Sequence, residues 1–244
     1  MWANLAKTSA IGLISGYLIW LSVSGGLNIY IHPRYHSFTL IMAVLAAGFT
    51  LSDLCWQLWR RYRKRSSLAW SRSLGRPQLL SLITVAIVLL GISLPPRPLS
   101  LHAVNQRAPE QQSFIAESNC HPPETNAAGQ TLLYRWLSAV QACEQPAELT
   151  GHNLTLIGFI TERPDKPDSF WLTRFVVSCC AVDSTPLRVE IIAPQWRARY
   201  APGQWLRVSG TTVRQSDGSM VITSATLTPI TEPDTPYEFL GSLE

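Results

Sequence analysis

The stretch Ser169-Phe170-Trp171-Leu172-Thr173-Arg174-Phe175-Val176-Val177-Ser178-Cys179-Cys180-Ala181-Val182-Asp183 decides the fold of the C-terminal half. It is rich in aromatic and β-branched residues and reads as one long strand. A long second strand that bends around a small barrel is the mark of the OB topology. Successive side chains on a strand alternate between faces. Trp171, Thr173, Phe175, Val177, Cys179 and Ala181 then share a largely apolar face, expected to point inward. Cys180 falls on the opposite face with Arg174, Ser178 and Val182.

The sequence around this stretch keeps the same period of two. Strands are expected over 154–162, 169–183, 187–192, 204–214 and 219–228. In the third, Leu187, Val189 and Ile191 point one way and Arg188 and Glu190 the other. Asp217-Gly218 marks a hairpin turn, and Pro167-Asp168 helps the chain reverse between the first two strands. A short helix over 196–200 falls between the third and fourth strands. Five strands with an insert there give an all-β, OB-like five-stranded barrel over 151–231. A small sandwich is the competing arrangement.

Upstream, Leu132, Leu133, Trp136, Leu137 and Val140 recur at helical spacing, predicting a helix over 131–143 that packs on the barrel. Residues 131–244 are thus expected to form one domain. Residues 97–130 are rich in Pro, Gln, Ala, Ser and Glu, and read as a flexible linker.

Composition sets the character of residues 1–96. Charged residues make up only 15% of the 244-residue chain and hydrophobic ones 46%. The apolar surplus is clustered, as in a membrane-anchored protein. Transmembrane helices are expected over about 11–31, 38–59 and 77–96, a helical hairpin plus a third, shorter span. A cleaved signal peptide fits the first span poorly. The run is too long, and Gly25-Gly26-Leu27-Asn28 is a poor cleavage site. Arg60, Arg61, Arg63, Lys64, Arg65, Arg72 and Arg76 put the second loop in the cytoplasm. The N-terminus is then cytoplasmic and the C-terminal domain extracytoplasmic. Trp56 and Trp59 suit the inner headgroup belt, Tyr30 and Tyr35 the outer one.

The net charge of +4 is unevenly spread. Residues 1–150 hold 12 basic and 6 acidic side chains, and residues 151–244 hold 8 and 10. The basic surplus suits membrane lipid. Nucleic acid is not an expected partner, because the OB-like part is net acidic where a basic groove would be needed.

Several side chains carry candidate chemistry. Adjacent side chains on a regular strand diverge, so Cys179 and Cys180 could hold one ion together only across a bulge. A disulfide between neighbours would be strained. Three readings stay open: Cys179 as a small core hydrophobe, a zinc or copper ion held through at least one thiolate, or thiol redox chemistry. The candidate metal ligands are Cys180, Cys179, His32, His36 and His152. His32 and His36 read equally as wet side chains among headgroups. Cys120 and Cys143 flank the expected helix and form a candidate disulfide. Cys55 reads as packing within the second span. Asp53 is an acid inside that span, near its cytoplasmic end, with a loop arginine, water or a partner helix as its expected contact. Glu162, Asp165, Asp168 and Asp183 are expected near one barrel end. No Ser-His-Asp order, P-loop or dinucleotide fingerprint stands out, and no enzyme is expected.

Several motifs taken together carry a resemblance. They are Tyr30-Ile31-His32-Pro33, Leu149-Thr150-Gly151, Gly158-Phe159-Ile160, Arg174-Phe175 with Cys179-Cys180, Trp205-Leu206-Arg207-Val208-Ser209-Gly210, and Pro233-Asp234-Thr235-Pro236-Tyr237. The chain resembles the small subunit of a bacterial family of two-component membrane permease complexes. The resemblance implies an accessory role in transport in the plasma membrane, beside a larger polytopic permease. It brings no catalytic residues and no solute. Gly25-Gly26 and Ala43, Ala46, Ala47 and Gly48 are expected to supply small faces for helix contacts. The alternative is a membrane-tethered metal-binding or thiol-redox protein.

Overall fold

The structure is a computed structural model that describes residues 2–63, 76–94, 97–106, 120–126, 128–143 and 146–241. The chain divides into two compact units, Met1–Arg97 and Pro98–Glu244.

The first unit holds helices α1 (Trp2–Ser24), α2 (His36–Arg63) and α3 (Arg76–Ser93). Helix α1 packs against both α2 and α3. It ends where Gly25 takes a φ of 77°, a left-handed conformation that glycine adopts without a Cβ clash. The apolar run expected as one span over 11–31 is therefore broken at Ser24, and Gly26–Ile29 forms a 3-10 turn. Gly25 and Gly26 end a helix and do not form a contact face along one. Ala43 is buried, whereas Gly48 is exposed. Asp53 accepts hydrogen bonds from Thr8 Oγ1 at 2.7 Å and Gln57 Nε2 at 2.8 Å, so this acid ties α2 to α1. Among the described residues one helix, Pro33–Arg60, is long and apolar enough to cross a membrane. Thr8–Ser24 and Leu82–Ser93 are shorter apolar helices. The expected basic loop falls largely on residues 64–75, outside the described residues.

The second unit contains β1 (Asn153–Glu162), β2 (Ser169–Val177), β3 (Thr185–Ile192), β4 (Trp205–Arg214) and β5 (Met220–Pro229). Their order is β1-β4-β5-β3-β2, and β1 pairs again with β2 to close the ring. Only β3 and β5 among these five run parallel. This is an OB-like five-stranded barrel, and its closure excludes the sandwich. A 3-10 turn at Trp196–Ala198 fills the insert between β3 and β4.

Two glycines permit the tight curvature. A Cβ on Gly158 would lie 2.6 Å from the Thr173 carbonyl oxygen, where β1 crosses β2. Gly210 sits in the register shift between Ser209 and Thr211, with Ile222 Cγ2 2.6 Å from its notional Cβ.

One strand lies beyond the five expected. β6 (Tyr237–Phe239) runs parallel to β2, pairing Phe175 with Tyr237 and Val177 with Phe239. The edge of β2 is thus shared, with β1 covering Phe170–Thr173 and β6 covering Phe175–Val177. Two apolar clusters result. One lies inside the barrel and beneath helix α5 (Leu133–Ala142), including Trp136, Leu156, Phe170, Leu187 and Trp196. The other gathers Phe159, Phe175, Val177, Trp205, Tyr237 and Phe239. Part of the expected linker joins this second cluster. Helix α4 (Leu101–Gln106) buries Val104 there, and Leu99 N donates to Tyr237 Oη at 2.8 Å. Leu99, Ala103 and Val104 are therefore packed, which corrects the reading of this stretch as part of a flexible tether. Residues 107–119 lie outside the described residues.

A buried ion pair locks α5 in place. The residue before the helix, Leu132, supplies no side-chain cap. Glu238 of β6 supplies the acceptors instead, taking Leu133 N and Tyr134 N at 2.8 Å each. Arg174 Nη1 lies 3.6 Å from the same carboxylate, and Nη2 donates to Thr235 O at 2.9 Å. Burial pushes the Glu238 carboxyl upward, against the pull of Arg174 and the two amides. The far end of α5 is held by the Cys120–Cys143 disulfide, with Cα atoms 4.8 Å apart.

Glu238→Ala should destabilise the domain by about 3–5 kcal/mol, because it leaves Arg174 buried and unpaired. Glu238→Gln should cost less, since one acceptor remains. Thermal unfolding in detergent, followed by circular dichroism, measures both. Cys143→Ser should remove a further ~3 kcal/mol by freeing a loop of this size. Equal midpoints for Cys143→Ser and the parent under non-reducing conditions would refute that effect.

Candidate functional site

The hydrogen-bond ladder of β2 stops at Val177, six residues before the end of the expected strand. Asp183 explains why. Its carboxylate accepts Ser178 N at 3.2 Å, Cys179 N at 2.7 Å and Cys180 N at 3.4 Å. These amides are no longer available to a neighbouring strand. Asp183 N in turn donates to Cys180 O at 3.1 Å, closing the 3-10 turn Ala181–Asp183. The loop folds around one carboxylate.

This overturns the expected alternation at the cysteines. Cys179 is exposed and so is not a core residue, while Cys180 is half-buried. Released from the strand, their side chains no longer diverge, and the two sulfurs lie 3.6 Å apart. Cys179 Sγ, Cys180 Sγ and an Asp183 carboxylate oxygen all fall within 4.8 Å of one another. Val182, at the tip of the turn, is 86% exposed, so the loop projects into solvent.

The electrostatics follow from the same contacts. The hydrogen bond to Asp183, then that to Cys180, pushes the Cys179 thiol up to about 12. Burial acts to raise Asp183, but hydrogen bonds from the Cys179 side chain and from the backbone of Cys179, Ser178 and Cys180 outweigh it and hold its carboxyl below 3.8.

Within this unit His152 does not join the cluster. His32 belongs to the first unit, where it is buried and its Nδ1 accepts Arg34 N at 3.1 Å, capping the 3-10 turn Pro33–Tyr35. His36 Nε2 lies 3.4 Å from Ile31 O. His152 is exposed at the start of β1, its Nε2 2.9 Å from Glu148 O. Cys55 is exposed on α2. The four acids also separate. Glu162, Asp165 and Asp168 precede β2 and Asp183 follows it, at opposite ends of that strand. Glu162 lies 3.6 Å from Arg197, and Asp165 3.1 Å from Arg163. Asp183, expected only as one of four acids near a barrel end, instead organises this turn. The signal for its role was its spacing of three residues from Cys180, the reciprocal capping arrangement now seen.

The fold and the loop define an OB-like barrel domain carrying an exposed dithiol–carboxylate turn. A family model described as the DUF1980 C-terminal domain matches residues 133–240, which run from α5 through β6 and include this turn. A search of curated proteins found no match.

Because Asp183 titrates below 3.8 in the folded protein, its contribution to stability is complete above that pH and is lost as the pH falls through the lowered value. The amide resonances of Ser178, Cys179 and Cys180 should therefore shift together in NMR, with one midpoint below 3.8. Near neutral pH, Cys179 should alkylate slowly, and Asp183→Asn should speed it by about tenfold or more, as the thiolate fraction rises. An unchanged rate in that variant would rule out the carboxylate's control of the thiol.

Proposed function

We propose that this chain is a membrane-attached accessory subunit of a transport complex, with its OB-like domain on the extracytoplasmic side. One observation carries the reading: a long apolar helix whose side chains are left uncovered. Phe38, Ile41, Leu45 and Phe49 of α2 are all more than half exposed. Lipid and a partner's helices are the surroundings that such a surface suits.

Three further features support it. The groove along α1 is lined by Gly12, Gly16, Ala47 and Thr50, small residues that let another helix approach closely, with Tyr17 and Trp20 beside them. Three helices are too few to enclose a polar path, so a solute pathway calls for a larger partner. The Cys120–Cys143 disulfide suits an oxidising compartment. On this reading the short apolar stretches of α1 and α3 also cross the bilayer, with mismatch taken up at the interfaces. The match to a family known only as a domain of unknown function leaves the solute open.

Affinity purification of the full chain from native membranes should recover a polytopic membrane protein in near-equal amount. Replacing both Gly12 and Gly16 with Leu should reduce that recovery several-fold while leaving the C-terminal unit folded. A chain that purifies alone under mild detergent, and whose deletion leaves transport intact, would defeat the proposal. A phosphatase fused after Glu244 should be active, as the enzyme requires an oxidising compartment.

A further inference from the structure

We infer that the turn after β2 is a cation site in which Cys179 Sγ, Cys180 Sγ and a carboxylate oxygen of Asp183 bind one zinc-class divalent ion. This inference stands on the turn's own geometry and holds whether or not the chain works beside a permease.

Spacing is the first argument. Zinc–sulfur bonds of about 2.3 Å in a tetrahedron place two sulfurs roughly 3.8 Å apart. Cys179 and Cys180 hold theirs at 3.6 Å without a metal to draw them together. The third donor lies within 4.8 Å of both. Small side-chain rotations suffice to bring all three onto one ion.

Preorganisation is the second. The three backbone amides that fix the Asp183 carboxylate also fix the residues bearing the sulfurs. Ligands oriented by such outer hydrogen bonds need little reordering to bind. The same amides offset part of the negative charge gathered when two thiolates and a carboxylate meet one divalent ion. Oδ1 of Asp183 accepts two amides and Oδ2 one, so Oδ2 keeps a lone pair to offer an ion.

The donor set selects the ion. Calcium and magnesium require oxygen ligands throughout. Copper(I) prefers sulfur alone, and a carboxylate adds nothing to its binding. Two thiolates with one carboxylate suit zinc, which accepts sulfur, nitrogen and oxygen in one tetrahedron. Three protein ligands leave the fourth position open to water or to a donor from another molecule. Closed structural sites lack such a position. Exposure of Cys179 and Val182 makes the fourth position reachable. The geometry suits an ion taken up and passed on, more than one that holds the fold.

The competing chemistry is a bond between the two sulfurs. Neighbouring cysteines close a small ring that normal disulfide geometry does not fit. That strain favours the free dithiol beside a distant pair that is already bonded.

The test uses the full-length protein in detergent, with Cys179 and Cys180 reduced, titrated with cobalt(II) and then zinc(II). One cobalt per chain is expected, with thiolate charge-transfer absorption and the intense visible bands of tetrahedral coordination, all abolished by one equivalent of zinc. X-ray absorption at the zinc edge should find two sulfurs and two lighter ligands. Cys179→Ser and Cys180→Ser should each weaken zinc binding at least a hundredfold, and Asp183→Asn about tenfold. His32→Ala and His152→Ala should bind as the parent does. Absence of stoichiometric binding by the parent overturns the site. So does binding that survives the double cysteine replacement, or a spectrum with one sulfur or four. Parent-like affinity in Asp183→Asn removes the carboxylate from the ligand set. Recovery of a Cys179–Cys180 disulfide from freshly isolated protein, with no metal bound after reduction, would assign the pair to redox chemistry instead. None of these outcomes depends on co-purification with a permease.

Discussion

Arg174 and Glu238 hold the C-terminal unit together. Neither charge is tolerable alone at its depth. Glu238 answers Arg174 with one oxygen and gives both oxygens to the first amides of α5. Arg174 also donates to the carbonyls of Thr235 and Pro236, so the segment leading into β6 is fixed by the guanidinium it approaches. One side chain on β2 therefore aligns a strand and a helix at once. Such a pair contributes less to net stability than to selecting one arrangement. An apolar residue at position 238 could not cap the helix, and an uncharged one could not satisfy Arg174.

The barrel was legible because its signals are local. Alternation at Leu187, Val189 and Ile191, the turn at Asp217-Gly218 and the spacing of the five runs all survive in the structure. β6 was not legible. Three residues, Tyr237, Glu238 and Phe239, cannot display a period, and Pro233 and Pro236 nearby argue against a strand. Its place is set by Arg174, some sixty residues earlier, a distance that no local pattern spans. The packing of Val104 was hidden for a related reason. A single apolar residue in a polar stretch gives no sign of the Phe159 and Tyr237 cluster that receives it.

The dithiol turn shows a different failure. Residue types at Cys179 and Ala181 continue the apolar alternation of β2, so pattern alone extends the strand through Asp183. What ends it is competition for backbone donors. Asp183 claims three successive amides, and a short-range side-chain acceptor displaces the ladder. The inward face assigned to Cys179 disappears with the strand. In the first unit, Gly25 acts similarly. Hydropathy runs smoothly past Ser24, but the backbone there turns left-handed and the helix stops.

β6 follows all five barrel strands in sequence, and that order has a consequence for synthesis. A polypeptide emerging N-terminus first presents α5 and all five barrel strands before Glu238 exists. Until residues 237–239 emerge, Arg174 is an uncompensated cation, α5 has open amides at its start, and half of one β2 edge has no neighbour. The nascent domain must wait in that condition, with Phe175 and Val177 uncovered, for Tyr237–Phe239 to arrive. Its period of greatest risk of aggregation is therefore the interval between the emergence of β5 and that of β6.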